Sequence, residues 1–422
     1  MRVKPMRLPV FAAALLALPV GAGAQDADAR EEGARRGRHR LGPAWVTLRL
    51  QLKNAGVETN VFQTFTDPVR DEVVVLGAQG DGVLPVGRRL EITGSGFVEQ
   101  HHYRREGEER STDFHGEGRI ELDLGALELF GGGGGGQFTQ RFSIDVDDRL
   151  PRQEKRAHAG AVLDLTSRLS VTAQAAGEVI TFSAGTFRLG GNVKEAMDRN
   201  TLTATGQLRH TLTPRTSVVL SADVLEDRFI SQPPHLPRVR RSYRYLGGLE
   251  FGERAVVSGR VLVGMRHFPG TLAQGSPPYK GPIGTADLTL PVGHAARLRF
   301  QGLRDVLYAS SLVEVGDVRY RNAFIYQRYW GEAFLPLSPQ GLATVLTAGF
   351  EEAQYLLPYP YLSDFRLEDR VDHRFTLGAG LVQRLGDTVR IGGHVFWSRR
   401  VSTLPFFSYE GWRYGLSAEV VP

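Results

Sequence analysis

Polar and apolar residues alternate one by one over long stretches of this chain. Phe114, Gly116, Gly118, Ile120, Leu122 and Leu124 are interleaved with His115, Glu117, Arg119, Glu121 and Asp123. Successive side chains of a strand point to opposite faces, so this segment has one apolar or small face and one charged face. The same period returns at Val46, Leu48, Leu50 and Leu52, and at Tyr243, Tyr245, Leu249 and Phe251. It returns again at Phe375, Leu377, Ala379 and Leu381, at Val389, Ile391, Val395 and Trp397, and at Trp412, Tyr414, Leu416, Ala418 and Val420. Hardly any helical period interrupts it, so no second layer is available to cover the apolar faces. Lipid can cover them, and in lipid only a closed barrel satisfies the backbone of a sheet. The pattern therefore predicts an all-β fold: a closed antiparallel transmembrane β-barrel of roughly 16–18 strands.

The connections support this. Short ones centre on Pro85–Arg88, Gly125, Ser167-Arg168, Thr213–Thr216, Gly252–Ala255, Val292–His294, Ser338–Gly341 and Leu385–Asp387. They take turns with long ones over about 54–71, 101–112, 143–153, 183–199, 227–241, 268–281, 305–317, 356–370 and 400–408. Eight short turns and nine long loops join eighteen strands, an even number that leaves both termini on one side. Short turns on a periplasmic rim and long loops on an extracellular rim are the asymmetry of bacterial outer-membrane barrels; a soluble sandwich or propeller has no reason for it. Aromatic residues near strand ends suit the headgroup level.

The start of the chain agrees. Arg2, Lys4 and Arg7 precede a short apolar run, Leu8 to Val20, and a small-residue site, Ala22-Gly23-Ala24. These are the parts of an export signal over 1–24, with Gln25 the expected mature start. Residues 25–42, rich in Asp, Glu and Arg, read as a flexible periplasmic leader, and 43–422 as the barrel. No other stretch reaches the ~18 consecutive apolar residues of a membrane helix. The chain has no Cys, which removes thiol catalysis, Cys-ligated zinc and Fe–S chemistry. The signal holds three of the positive charges behind the formal +5 and no acid, so the remainder is close to neutral. Nucleic acid is therefore not an expected partner. Gly accounts for 50 of 422 residues, and most lie within alternating strands, where small side chains suit curvature and close strand contact.

No constellation points to catalysis, and no cofactor or metal is expected. Glu99, His101 and His102 are the nearest to a metal or hydrolase site, but adjacent His residues face opposite sides of a strand, so at most one joins a site. His115, His158, His210, His373 and His394 are scattered over different strands without a spacing that fixes a Ser–His or Asp–His pair. Gly131–Gly136 resembles a phosphate loop only in composition, because no helix follows it. A strand segment without side chains, able to admit bulky neighbours, is the plainer reading.

The charged faces are the informative chemistry. Early strands carry Glu91, Glu117, Glu121, Asp123, Glu128, Asp164 and Glu178, mixed with Arg119 and Arg156. Later strands carry Arg209, Arg244, Arg260, Arg266, Arg297, Arg299, Arg374 and Arg390 with fewer acids. All of these are expected to face the lumen, an acidic wall set against a basic one. Two outcomes follow: salt bridges that fill the bore, or a water-filled path with a transverse field and a modest preference for anions.

Three stretches carry a family resemblance: Gly56-Val57-Glu58-Thr59-Asn60-Val61-Phe62, Leu212-Thr213-Pro214-Arg215-Thr216, and the run from Gly248-Leu249-Glu250-Phe251 through Ser258-Gly259-Arg260-Val261 to Gly264-Met265-Arg266 and Phe268. In these the chain resembles the β-barrel porins often encoded with exopolysaccharide synthesis and export genes. It departs from the family pattern at Glu58, where Asp is usual, and from barrels generally in ending on Val420-Val421-Pro422 instead of an aromatic residue. The resemblance implies an outer-membrane location in a Gram-negative-type bacterium and passage of polysaccharide, and it implies no catalytic residue.

The expected function is a porin-like path for small polar solutes, linked to exopolysaccharide export. A plugged structural or binding barrel is the alternative, and a barrel hydrolase a third reading. Expected partners are outer-membrane lipid, the barrel-assembly machinery through the last strand (Tyr409 to Val421), and polysaccharide or small polar solutes. The last strand is expected to close the sheet by pairing near Val46–Leu52. Because the chain has no native thiol, single Cys substitutions test the topology. A membrane-impermeant reagent on intact cells is expected to label Cys at Gly107 and Gly275 and to spare Gly125 and Asp387; the opposite pattern reverses the barrel.

Overall fold

The computed structural model describes residues 39–422, except 142, 146–147, 184–191, 232–235, 253–254, 271–276, 294, 316–317 and 361–366. The expected export signal, the expected leader up to residue 38 and the centres of several long connections, Gly275 among them, lie outside the described residues.

Eighteen long strands form one closed antiparallel sheet. In chain order they are β1 (Ala44–Glu58), β2 (Asp71–Val86), β3 (Leu90–Tyr103), β4 (Ser111–Asp123), β5 (Leu127–Phe138) and β6 (Arg152–Asp164). There follow β7 (Leu169–Phe182), β8 (Arg199–Thr213), β9 (Thr216–Phe229), β10 (Val239–Phe251), β11 (Ser258–Phe268) and β12 (Tyr279–Val292). The last six are β13 (Ala296–Val315), β14 (Val318–Pro336), β15 (Leu342–Tyr355), β16 (Val371–Leu385), β17 (Val389–Ser402) and β18 (Tyr409–Val420). Each pairs with its neighbours in sequence, and β1 pairs with β18 to close the ring. The one α-helix among the described residues, α1 (Val193–Met197), has five residues. Among the described residues no helix is long and apolar enough to cross a membrane.

Every predicted short turn whose residues are all described is present, and parts of Gly252–Ala255 and Val292–His294 lie outside the described residues. Gly87, Gly125, Gly293, Gly341 and Gly386 have positive φ at five of the predicted turns. Strand parity is the inverse of a soluble protein: on β4, Asp113 is fully buried, whereas the adjacent Phe114 is 48% exposed. Apolar side chains face outward around the ring, among them Leu50, Ile120, Leu220, Val263, Leu377 and Leu416. A closed antiparallel sheet with this apolar outer face is an outer-membrane transmembrane barrel.

Two features differ from the sequence reading. The predicted long loop over 305–317 is instead a hairpin in which β13 and β14 run on for 20 and 19 residues. Its register breaks between Tyr308 and Leu312, and Ala309 and Ser310 are buried there, so the extension packs on the mouth and does not stand in solvent. The closing register also differs. Leu50–Glu58 pairs with Val420–Arg413, and Ala44–Val46 instead takes a three-residue strand, His39–Leu41, from the end of the expected leader. Between them β1 carries a bulge near Leu52–Ala55.

At this seam two glycines let the strands approach. A Cβ at Gly56 would lie 1.9 Å from the Tyr414 carbonyl oxygen, and one at Gly415 would lie 2.3 Å from Asn54 Oδ1. Gly116, by contrast, faces lipid with nothing within 4 Å of the position of a Cβ. Gly56→Val is expected to abolish the heat-modifiable, membrane-inserted form seen on electrophoresis, and Gly116→Val to preserve it. Normal folding of Gly56→Val shows that the seam is not the closing contact.

Candidate functional site: a polar lumen beneath a folded mouth

The charged residues singled out in the sequence all occupy inward positions of their strands. A cavity of about 1700 Å³ lies inside the β1–β13 part of the wall. Glu91, Glu117, Glu121, Asp123, Glu128, Asp164, Glu178, Arg209, Arg244, Arg260 and Arg266 line it. Arg297, Arg299, Arg374 and Arg390 point inward outside that lining. The cavity reaches the turns at Arg88, Gly125 and Arg168, and at its other end it meets Ser143, Met197 and Tyr308.

Most of the arginines find a carboxylate close by, within a few strands of their own. Arg209 meets Glu250 at 2.8 Å, Arg244 meets Asp223 at 3.1 Å, and Arg266 meets Asp305 at 2.7 Å. Arg299 holds Asp287 through two hydrogen bonds of 3.0 and 2.8 Å, the bidentate geometry that a guanidinium favours. Arg374 pairs with the buried Glu351, Arg156 with Glu117, and Arg390 lies 3.7 Å from Glu419. Arg260 has no carboxylate within ion-pair distance among the described residues. On the acidic side, Glu91 stands directly opposite Glu121, and Asp123 opposite Glu128. Arg119 pairs with Glu121 here, and Arg88, Arg89 and Arg168 line the same end of the cavity, so charges of both signs meet near the turns.

Apolar packing that gave no signal in the sequence fills part of the mouth at the long-loop rim. Ile144, from the connection between β5 and β6, packs with Ala309, Val313, Phe324, Tyr326, Tyr355, Leu404 and Phe407 on the far wall. A second cluster joins Val193, Ala196 and Met197 of α1 to Phe182, Phe229, Phe268, Val306 and Tyr308. Asp145 anchors the first. Its carboxylate accepts hydrogen bonds from the Ser310 backbone N–H and hydroxyl at 2.5 Å each and from the Tyr355 hydroxyl, and Arg370 Nη1 lies 3.3 Å away. Arg370 and Arg400 then share Asp372 at 2.8 and 2.9 Å, and the Arg370 guanidinium lies 3.3 Å from the centre of the Phe407 ring. Arg321 anchors the second cluster by donating to the Ala196 and Glu195 carbonyls at the end of α1. Burial pushes the nearby Asp198 carboxyl upward, against hydrogen bonds from the Phe182 N–H and the Ser231 hydroxyl.

The histidines do not assemble a catalytic or metal centre among the described residues. His101 faces inward, 3.7 Å from Glu99 and 3.8 Å from Asp113, while His102 is exposed on the other face. Ser95 and His115 both approach Glu117, at 3.2 and 3.7 Å, which puts the acid between them and not behind the His as a triad needs. Gly131–Gly136 lies within β5. A Cβ at Gly132 would lie 2.9 Å from the His158 ring, and one at Gly134 would lie 2.4 Å from the Gly116 carbonyl oxygen, so the run admits both a neighbouring side chain and a tightly packed strand.

No family model and no curated protein matches the chain. Among solved structures, OccAB3 of Acinetobacter baumannii is similar with a TM-score of 0.47 and 8% identity over 90% of this chain and 100% of that one. OpdO of Pseudomonas aeruginosa gives a TM-score of 0.45 and 12% identity over 90% and 97%. A bacterial polysaccharide outer membrane secretin gives 0.32 and 10% over 89% and 98%. Likenesses at these levels carry no argument about solute or partner.

The Asp145 network generates a test. Removing one member of a buried charged network costs about 3–5 kcal/mol. Asp145→Ala is expected to leave the barrel heat-modifiable but to make the 139–151 connection susceptible to proteases. Unchanged protection shows that apolar packing alone holds the mouth.

Proposed function

We propose that the barrel is a porin-like conduit for polar solutes, narrowed at its long-loop mouth by Ile144 and Asp145 of the β5–β6 connection. The observation that carries this reading is the cavity of about 1700 Å³, which runs from the short turns to the underside of that connection. Barrels of ~16–18 strands have room for an aqueous channel. Along β7 and β8 the cavity is lined by Thr172, Gln174, Thr201, Thr203, Thr205 and Gln207. Hydroxyl and amide groups both donate and accept hydrogen bonds and suit an uncharged, polyhydroxylated solute. This wall, together with the family resemblance, supports a link to exopolysaccharide passage.

A plugged barrel without conductance is the second reading, and the two apolar clusters and the Asp145 network across the mouth favour it. A hydrolase receives no comparable support, since no Ser–His pair stands in the lumen among the described residues.

Conductance in planar bilayers separates the first two. Purified, folded protein is expected to conduct, with a modest anion preference that weakens at high salt as screening lengths shorten. Arg260→Gln, Arg299→Gln and Arg390→Gln together are expected to shift the reversal potential toward cations, because they remove positive charge and release Asp287 and Glu419. Absence of conductance in both the native protein and Asp145→Ala overturns the conduit and leaves the plugged barrel.

A further inference from the structure

The outward rim of β9–β13 on the long-loop side carries a run of basic residues, of which Arg304 also borders the lumenal cavity. Arg228 is next to the last residue of β9, Arg241 is third in β10, His267 is next to last in β11, and Lys280 is second in β12. Their register is continuous: Glu226 faces Arg241, Tyr243 faces His267, and His267 faces Lys280. Arg304 of β13 lies opposite Gly284 and donates from Nε to the Pro282 carbonyl at 3.1 Å, which brings its guanidinium to within two residues of Lys280 along β12.

Four fixed cations therefore share one carboxylate. Arg228 and Arg241 both bind Glu226, at 2.7 and 2.8 Å, yet their side chains remain 67% and 61% exposed. The Lys280 ammonium has no hydrogen-bond or ion-pair partner among the described residues. Immediately below, on the same outward face, Val224, Tyr245, Val263 and Met265 are exposed apolar side chains. An occupant of this surface has acyl chains against those residues and a negative headgroup at the level of the cations. A soluble acidic protein cannot meet both, because the lower part is occupied by the bilayer.

We propose that this rim binds a membrane lipid bearing phosphate monoesters, with Arg228, Arg241, Lys280 and Arg304 as its phosphate ligands. The guanidinium fork matches phosphate oxygens, and Lys280 adds an unpaired point charge. The site is independent of whether the lumen conducts.

Native mass spectrometry of the full chain in detergent, with diphosphorylated lipid A as the probe and its fully dephosphorylated form as control, tests the proposal. The native protein is expected to retain the diphosphorylated form and not the control. Charge removal at all four positions (Arg228→Gln, Arg241→Gln, Lys280→Gln, Arg304→Gln) is expected to weaken retention about tenfold or more. The charge-preserving Lys280→Arg is expected to retain the lipid, which shows that the rim tolerates substitution, and heat-modifiability reports folding of every variant. Inorganic phosphate at millimolar concentration is expected not to displace the lipid; displacement identifies a site for free phosphate instead. Equal retention of both lipid forms, or full retention by the folded fourfold variant, overturns the proposal.

Discussion

The structure depends on one backbone constraint: a sheet in lipid cannot have an edge. An unpaired N–H or C=O in hydrocarbon costs several kcal/mol, and a row of them forbids insertion. The pairing of Leu50–Glu58 with Val420–Arg413 removes that row, and the glycines at positions 56 and 415 allow the backbones close enough to pair. Asn54, displaced inward by the bulge, serves the same seam by donating to the Val73 carbonyl at 3.1 Å while its Oδ1 lies 3.0 Å from His394 Nε2. Once the ring is closed, parity follows. Each strand has one face for lipid and one for the lumen, and the polar residues have nowhere to go but inside.

That interior is polar without being strongly charged overall, because charges meet their opposites over short distances. Arg299 with Asp287 and Arg209 with Glu250 link neighbouring or nearby strands, stiffen the wall and leave little field to act across the bore. Arg260 is the exception, with no carboxylate within ion-pair distance among the described residues. The cavity wall is therefore a set of local patches, hydroxyl-rich on β7 and β8, and not two uniform walls.

The strands and most of the short turns were legible in the sequence, because each follows from a period of two or from a turn residue acting on its neighbours. The mouth was not. Asp145 has no local signature; its partners Ser310 and Tyr355 are 165 and 210 residues away. The 305–317 segment reads as a loop because Ala309 and Ser310 interrupt the alternation, and the bulge that absorbs them is defined only by the apolar surface it meets. Long-range packing between connections leaves no periodic trace, so the packing at the mouth of the lumen is the part that alternation cannot reveal.

The seam also has a consequence in time. Gln51 donates to Glu419 at 2.8 Å across 368 positions of sequence, so closure joins segments from opposite ends of the chain. Contacts of such separation form late and slowly, whereas the hairpins on short turns are local and can form early. Until the last strand arrives, β1 presents an open ladder that any other extended chain could join. The small strand His39–Leu41 occupies the part of that ladder beyond the reach of β18. It leaves the assembling barrel a shorter adhesive edge during the interval in which it is most vulnerable to joining the wrong partner.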